Sequence, residues 1–215
     1  MRTRIKICGL TRPEDVDAAV AAGADAIGLV FYPPSPRHVS LALAAELARR
    51  VPPFVSVVGL FVNAAPDEVR RTLAAVPLHV LQFHGDEDEA YCRQFARPYL
   101  RAARMRPGFD LLQYAAAFPS AQAILLDALV EGYGGGGASF DWSLIPEQHP
   151  CPLVLAGGLD AGNVGEAVRR VRPAAVDVSS GVEAAKGIKD VARMQAFVAA
   201  VRAADVEECG ATSVF

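Results

Sequence analysis

A thiol and a carboxyl in this chain could move protons. Cys8 closes the stretch Ile-Lys-Ile-Cys at 5–8, and Asp127 ends an apolar run at 123–127. A thiolate acts as a base when a nearby cation lowers the thiol pKa from about 8.5. A poorly solvated carboxyl keeps the proton that a general acid must donate. The two residues therefore predict acid–base catalysis, with Cys8 as base and Asp127 as acid.

Simpler interpretations of both residues stay open at this point. A lone cysteine at a strand end is often a small buried hydrophobe, and an aspartate after a strand often caps the next segment. Side chains alternate between the two faces of a strand, so Lys6 lies on the same face as Cys8. We therefore expect Lys6 to favour the thiolate.

Three further polar residues predict contacts with a small ligand. Arg37 follows Pro36 in a proline-rich loop, and its guanidinium suits bidentate binding of a carboxylate. An exposed loop arginine would have the same sequence. Gln82 and His84 share a face and predict a polar patch. No helix carries two histidines at metal-ligand spacing, so no metal site is predicted.

Two glycine-bearing turns could hold a phosphate group. One contains Gly157 and Gly158, and the other contains Ser180 and Gly181. Glycines allow backbone N–H groups to approach an anion, and a short helix starting near Ser180 would direct its positive end to the same point. Either turn alone could be an ordinary tight turn, but together they predict a phosphate site.

Composition limits the possible partners and location. The chain has 215 residues and a net charge of −3, which argues against nucleic acid or an anionic membrane as a partner and favours a small molecule. Four scattered cysteines form no C-x-x-C pair, which predicts a reducing cytoplasm. We expect one domain over 1–204, followed by a tail at 205–215 without periodicity.

The elements that position these residues follow a repeated strand–helix pattern. Apolar runs typical of buried parallel strands predict strands at 5–8, 25–31, 54–62, 78–83, 99–105, 123–127, 152–156 and 174–179. Helical spacing and capping signals predict helices at 12–22, 41–50, 66–76, 87–96, 110–118 and 162–170, and from 189 onward. An irregular, glycine-rich segment at 128–139 is long enough to be functional.

Eight such units favour a closed (β/α)₈ TIM barrel in the α/β class. An open doubly wound sheet is the alternative, but its Gly-x-Gly-x-x-Gly turn is missing after the first strand. In a barrel, the carboxyl ends of the strands gather the candidate residues on one rim. Since strand eight then neighbours strand one, we predict an ion pair between Lys6 and Asp177 under Cys8.

Eight short strings, in order along the chain, resemble the phosphoribosylanthranilate isomerase family. They are K-I-C-G at 6–9, S-P-R at 35–37, F-V-N at 61–63, Q-F-H-G at 82–85, L-L-D at 125–127, F-D-W at 140–142, L-A-G-G-L at 155–159 and D-V-S-S-G-V-E at 177–183. Each string is weak alone, but the collinear set covers nearly the whole chain. One departure falls at 134–137, which is all glycine where the family usually has Gly-Thr-Gly.

The resemblance implies a cofactor-free Amadori rearrangement of N-(5′-phosphoribosyl)anthranilate in tryptophan biosynthesis. It implies Cys8 as general base and Asp127 as general acid, with Arg37 on the anthranilate carboxylate and Asp177 on a sugar hydroxyl. It further implies that Gln82 and His84 line the aromatic end of the substrate. The phosphate would be bound by Gly157, Gly158, Ser180 and Gly181. The sequence leaves open whether the chain is a monomer or a homodimer.

Three other functions remain alternatives. A thiol hydrolase would use Cys8 as nucleophile and His84 as base, but strands one and four lie far apart across a barrel mouth. A phosphosugar-binding protein without activity would not require both Cys8 and Asp127. The related barrel isomerase of histidine biosynthesis uses two aspartates, one of them where Cys8 stands, so the thiol argues against it.

Overall fold

Eight parallel strands close into a barrel in sequence order in the computed structural model, which describes residues 2–128 and 139–211. The strands are β1 Arg4–Cys8, β2 Ala26–Val30, β3 Ser56–Phe61, β4 Val80–Phe83, β5 Tyr99–Met105, β6 Ala123–Ala128, β7 Leu153–Leu155 and β8 Ala175–Val178. Strand β1 pairs with both β2 and β8. This closure confirms the predicted (β/α)₈ barrel and excludes the open sheet.

Helices surround the barrel on its outer side. They are α1 Pro13–Ala22, α2 Leu41–Arg49, α3 Pro66–Ala75, α4 Glu89–Arg93, α5 Leu111–Ala116, α6 Val164–Val171 and α7 Val191–Ala211. Short 3-10 helices occupy Trp142–Leu144 and Ser180–Val182, and an antiparallel hairpin follows as β9 Glu183–Ala185 and β10 Ile188–Lys189. No helix within the described ranges is long and apolar enough to cross a bilayer.

Local signals explain where the helices begin and end. Helix α1 has a proline in its first turn and ends at Gly23, whose φ of 98° is the left-handed conformation that glycine adopts without strain. The Ser40 side chain accepts a hydrogen bond from the Leu43 amide and caps α2. These are the start and stop signals that the sequence predicts.

The strands separate two apolar layers. Outward side chains such as Ile5 and Ile7 join one large cluster with the helices, while inward side chains form a small cluster inside the barrel. The inner cluster contains the small or medium residues Ala102, Ala123, Leu125, Val154 and Ala156. Strand alternation therefore directs one set of residues into the helix layer and the other into the barrel interior.

Besides shifts of one to two residues at element ends, the structure differs from the predicted elements in three main places. Helix α4 has five residues instead of the ten predicted over 87–96. The hairpin β9–β10 was not predicted. Helix α7 continues to Ala211, beyond the boundary expected at 204, and the Asp205 carboxylate accepts hydrogen bonds from the Thr3 amide and hydroxyl. The glycine run at 134–137 lies outside the described residues.

Candidate active site

The carboxyl ends of the strands bring the predicted polar residues to one end of the barrel interior. Cys8 ends β1, Asp177 lies in β8, Asp127 is next to last in β6, and Gln82 and His84 lie at the end of β4. All five side chains are buried. Below them lies the small apolar cluster of the barrel interior. The rim is therefore a polar compartment above an apolar floor.

Lys6 and Asp177 form the predicted ion pair. They are register partners in the β1–β8 ladder, and Lys6 Nζ lies 2.8 Å from Asp177 Oδ2. Burial opposes the charged form of Lys6, but its interactions with Asp177 and Cys8 together outweigh burial and raise the pKa of Lys6 above its ordinary value. Asp177 Oδ1 is buried and has no hydrogen-bond partner in the described part of the chain.

Cys8 lies closer to the protonated state than the sequence suggests. Its Sγ packs over Gly28 on β2, where an added Cβ would come within 2.6 Å of the sulfur. Burial raises the pKa of the Cys8 thiol, and the opposing attraction of Lys6 is too small to cancel that effect. Lys6 acts in the expected direction, but desolvation is stronger. Burial therefore favours the protonated thiol over the thiolate at this position.

Asp127, His84 and Gln82 lie side by side, with the His84 imidazole between the other two side chains. His84 Nε2 lies 3.2 Å from Asp127 Oδ2, and Gln82 Nε2 lies 3.1 Å from His84 Nδ1. Both imidazole nitrogens thus have partners other than Cys8, which removes the Cys8–His84 contact that a thiol hydrolase needs. In the described residues, no three His, Cys, Asp or Glu side chains cluster as a metal site would require.

Arg37 is buried, in contrast to the exposed loop arginine that the sequence also allowed. Its Nε and Nη2 donate to the two carboxylate oxygens of Glu183 at 2.7 and 2.8 Å. Its aliphatic part lies against Gly9, where an added Cβ would be 2.4 Å from Arg37 Cδ. One edge of the guanidinium is therefore occupied by Glu183, while Nη1 makes no hydrogen bond to the residues that the structure describes.

Sequence reasoning missed the roles of Glu183 and Lys189 at the site. Lys189 Nζ donates to Glu183 Oε1 at 2.9 Å and to the Ser179 carbonyl at 3.0 Å. The Ser179 hydroxyl in turn donates to the Cys8 carbonyl. Gly187, with a φ of 79°, turns the chain between the two residues. A glycine between two short extended segments was the available signal for this hairpin.

The two glycine turns meet, as predicted. Gly157 and Gly158 both have positive φ values, 77° and 61°. An added Cβ at Gly181 would lie 1.9 Å from the Leu159 carbonyl oxygen, so the turns touch at a point where only glycine fits. An added Cβ at Gly157 would lie 3.0 Å from Asp127 Oδ1. The glycine turns therefore adjoin the candidate acid.

The chain is similar to known isomerases over almost its full length. A family profile described as N-(5′-phosphoribosyl)anthranilate (PRA) isomerase matches residues 5–200. The curated N-(5′-phosphoribosyl)anthranilate isomerase of Dechloromonas aromatica is 73% identical over 205 residues, which is 95% of this chain and 99% of the relative. That of Leptothrix cholodnii is 69% identical and covers 99% and 96% of the two chains.

Two solved structures have the same fold. The phosphoribosyl anthranilate isomerase of Thermotoga maritima matches with a TM-score of 0.86 at 41% identity, covering 94% of this chain and 99% of its own. A phosphoribosyl anthranilate isomerase in complex with reduced 1-(o-carboxyphenylamino)-1-deoxyribulose 5-phosphate gives 0.83 at 39% identity, with the same coverage. From its sequence, its fold and its relatives, the chain belongs to the N-(5′-phosphoribosyl)anthranilate isomerase family.

Proposed function

We propose that this chain converts N-(5′-phosphoribosyl)anthranilate into 1-(o-carboxyphenylamino)-1-deoxyribulose 5-phosphate, with Cys8 as general base and Asp127 as general acid. The main support is the order of groups around the rim. Arg37 packs on Gly9, directly after Cys8, and the Gly157 turn lies beside Asp127. The substrate carries its carboxylate near C1′ and C2′, and its phosphate near the ring oxygen. The base therefore lies at the end where C2′ reacts, and the acid at the end where the ring opens.

The first step opens the ribose ring. Asp127 gives its proton to the ring oxygen, the bond from that oxygen to C1′ breaks, and the lone pair on the anthranilate nitrogen forms an iminium. The Asp127 carboxyl accepts a hydrogen bond from the Ala128 amide, and its Oδ2 lies 3.2 Å from His84 Nε2. These contacts hold the carboxyl in place for proton transfer.

The second step moves a proton from carbon. Cys8 removes the proton from C2′, the electron pair forms a double bond to C1′, and the iminium electrons return to nitrogen. The resulting enaminol then tautomerises to the ketose: C1′ gains a proton, and the C2′ hydroxyl loses its proton and becomes the carbonyl. The positive iminium forms beside Cys8 and stabilises its thiolate, so the thiol releases its own proton to solvent before it takes the proton from C2′. Proton abstraction is thus favoured once the ring has opened.

Two unpaired acceptors support the binding of the sugar. Asp177 Oδ1 and Gln82 Oε1 are buried without a hydrogen-bond partner among the described residues. Unpaired buried acceptors are costly, and a ribose hydroxyl or the anilino N–H would satisfy them. The Gly157–Gly158 and Ser180–Gly181 turns would hold the phosphate through backbone N–H groups. The substrate thus supplies hydrogen-bond donors that the described residues do not supply.

Turnover of the substrate tests this proposal. Loss of anthranilate-type fluorescence should be rapid with the wild type, and kcat should fall about 10²- to 10⁴-fold in Cys8→Ser and in Asp127→Asn. Near-normal kcat in both variants would refute the acid–base roles. Activity on the aminoaldose phosphate of histidine biosynthesis instead would refute the substrate, and binding without turnover would indicate the phosphosugar-binding alternative.

Two expectations about the protein in the cell remain predictions. Sedimentation analysis would distinguish a monomer from a homodimer. Fractionation of the source cells would test the cytoplasmic location.

A further inference from the structure

Two charged side chains that the proposed chemistry does not use, those of Glu183 and Lys189, form a buried cluster with Arg37. Glu183 lies between Arg37 and Lys189, and it accepts hydrogen bonds from both at 2.7 to 2.9 Å. All three residues are at most 7% exposed. This charge cluster lies at the rim, because Arg37 packs on the residue that follows Cys8.

The contact with Glu183 creates an electrostatic difficulty for the role of Arg37. A carboxylate that is already bound neutralises the guanidinium charge. A second carboxylate on the Nη1–Nη2 edge would then approach a neutral pair and also feel repulsion from Glu183. Arg37 and Glu183 alone would therefore form a poor site for an anion.

Lys189 removes that difficulty. Its ammonium pairs with Glu183 Oε1 at 2.9 Å, so the charge cluster has a net charge of +1. The Ser179 carbonyl and hydroxyl accept its other hydrogen bonds at 3.0 and 3.4 Å, which gives the ammonium three oxygen acceptors. The neighbouring Lys6–Asp177 pair is already balanced and adds no net charge. Lys189 is therefore the source of the positive charge that Arg37 can offer to a ligand.

The hairpin that carries both residues is anchored from several sides. The Lys189 amide donates to Asp15 Oδ2 at 3.1 Å, and the Thr11 hydroxyl donates to the Gly187 carbonyl at 2.5 Å. Gly187 also donates its amide to Glu183 Oε1 at 3.3 Å. The charge cluster is thus held in place without a ligand, which reduces the cost of ordering Arg37 during binding.

We propose that Glu183 and Lys189 are positioning residues for the substrate carboxylate: Glu183 fixes the plane of Arg37, and Lys189 keeps the charge cluster net positive. This inference rests on the proposed role of Arg37 in the isomerase reaction. It assigns two residues outside the acid–base pair to substrate selection. They act through Arg37 and touch no reacting atom.

A charge-balance experiment tests the inference. The variants are Glu183→Gln, Lys189→Met and the double variant, which again has a net charge of +1. The control is Lys186→Met, which removes an exposed lysine from the same hairpin turn. Calorimetry measures the Kd of reduced 1-(o-carboxyphenylamino)-1-deoxyribulose 5-phosphate and of the same molecule without its carboxyl group. The ratio of the two Kd values cancels the contribution of the phosphate, and melting temperatures identify variants that fold poorly.

The inference predicts a specific order of preferences for the carboxylate. The wild type and Lys186→Met should bind the carboxylate ligand at least tenfold more tightly than its counterpart. Lys189→Met should lose most of that preference, and the double variant should recover at least threefold of the loss. A role limited to stabilising the fold predicts instead that the double variant is no better than Lys189→Met.

Two outcomes would overturn the inference, and they differ in what they say about the proposed function. The inference alone would be overturned if Lys189→Met keeps the wild-type preference for the carboxylate ligand. The same holds if the double variant does not recover that preference. Equal affinity of the wild type for both ligands would overturn it together with the role of Arg37. If Lys189→Met does not fold, Lys189→Gln replaces it with the same expected loss and rescue.

Discussion

The outer and inner faces of the same strands differ sharply in composition. The outer face packs large side chains against the helices, and its residues Phe83, Phe61 and Ile7 are fully buried. The inner face has small apolar residues at its floor and charged residues at its rim. Because side chains alternate along each strand, the same strands present an apolar packing surface outward and a polar rim inward.

The difference shows where stability and chemistry reside. The outer layer gains free energy from apolar burial, at about 25 cal/mol per Å². The inner rim buries an ion pair, and burying two charges often costs as much as their attraction returns. It also leaves Asp177 Oδ1 and Gln82 Oε1 without partners in the described residues. The rim therefore contributes less to the stability of the fold than the outer layer does.

Truncation in the outer layer should have the largest effect on stability. Phe83 packs against four aromatic rings, those of Phe61, Tyr91, Phe95 and Tyr99. Phe83→Ala should lower the free energy of unfolding by about 4 kcal/mol, because it leaves a cavity among those rings. Urea unfolding measures the loss. The exposed Leu112→Ala is the control, with an expected change within about 0.5 kcal/mol.

Breaking the Lys6–Asp177 ion pair should lower the free energy of unfolding slightly less than Phe83→Ala does. Lys6→Met leaves the Asp177 carboxylate buried without its partner, so we expect a loss of about 3 kcal/mol in the same urea experiment. Lys6→Met combined with Asp177→Asn removes both charges and should regain much of that loss. If the double variant is no more stable than Lys6→Met, charge pairing is not what Lys6 contributes.

Acid should weaken the rim through Glu183. Burial opposes its ionisation, but hydrogen bonds from Arg37 and the attraction of Lys189 outweigh burial and hold the pKa of Glu183 below its ordinary value. A depressed carboxyl pKa contributes stability above the unfolded-state pKa of about 4.3, and that stability is lost as the pH falls through the folded-state pKa. Unfolding measured from pH 6 to pH 3 should therefore show a smaller acid loss in Glu183→Gln than in the wild type. If the free energy of unfolding falls equally steeply with pH in the wild type and in Glu183→Gln, then Glu183 does not account for the acid loss.

The smallest expected effect lies outside both layers. Phe54 is fully exposed, and its φ of 73° is strained for any residue except glycine. Phe54→Gly should raise the free energy of unfolding by about 1 kcal/mol, because glycine adopts this conformation without strain. Thermal unfolding measures the gain, and kcat should not change. A loss of stability would show that Phe54 makes contacts in solution.

The local sequence pattern predicted part of the candidate site, because in a closed barrel the position of a residue along its strand determines where its side chain lies. Alternation and closure were enough to place Lys6 against Asp177, and glycine content was enough to locate both turns. The Arg37–Glu183 contact joins residues 146 positions apart and depends on a hairpin with only a weak sequence signal. The raised pKa of Cys8 results from burial, which composition does not reveal. The sequence alone therefore does not reveal contacts between distant residues or the loss of solvent around a buried group.

A deuterium isotope effect on kcat tests the separate roles of acid and base most directly. Substrate with deuterium at C2′ reports on proton removal, which we assign to Cys8. In Cys8→Ser that step should limit the rate, so the isotope effect should lie well above one. In Asp127→Asn ring opening should limit the rate, and the effect should be close to one. The reverse pattern, or equal isotope effects in the two variants, would contradict the assignment of Cys8 as base and Asp127 as acid.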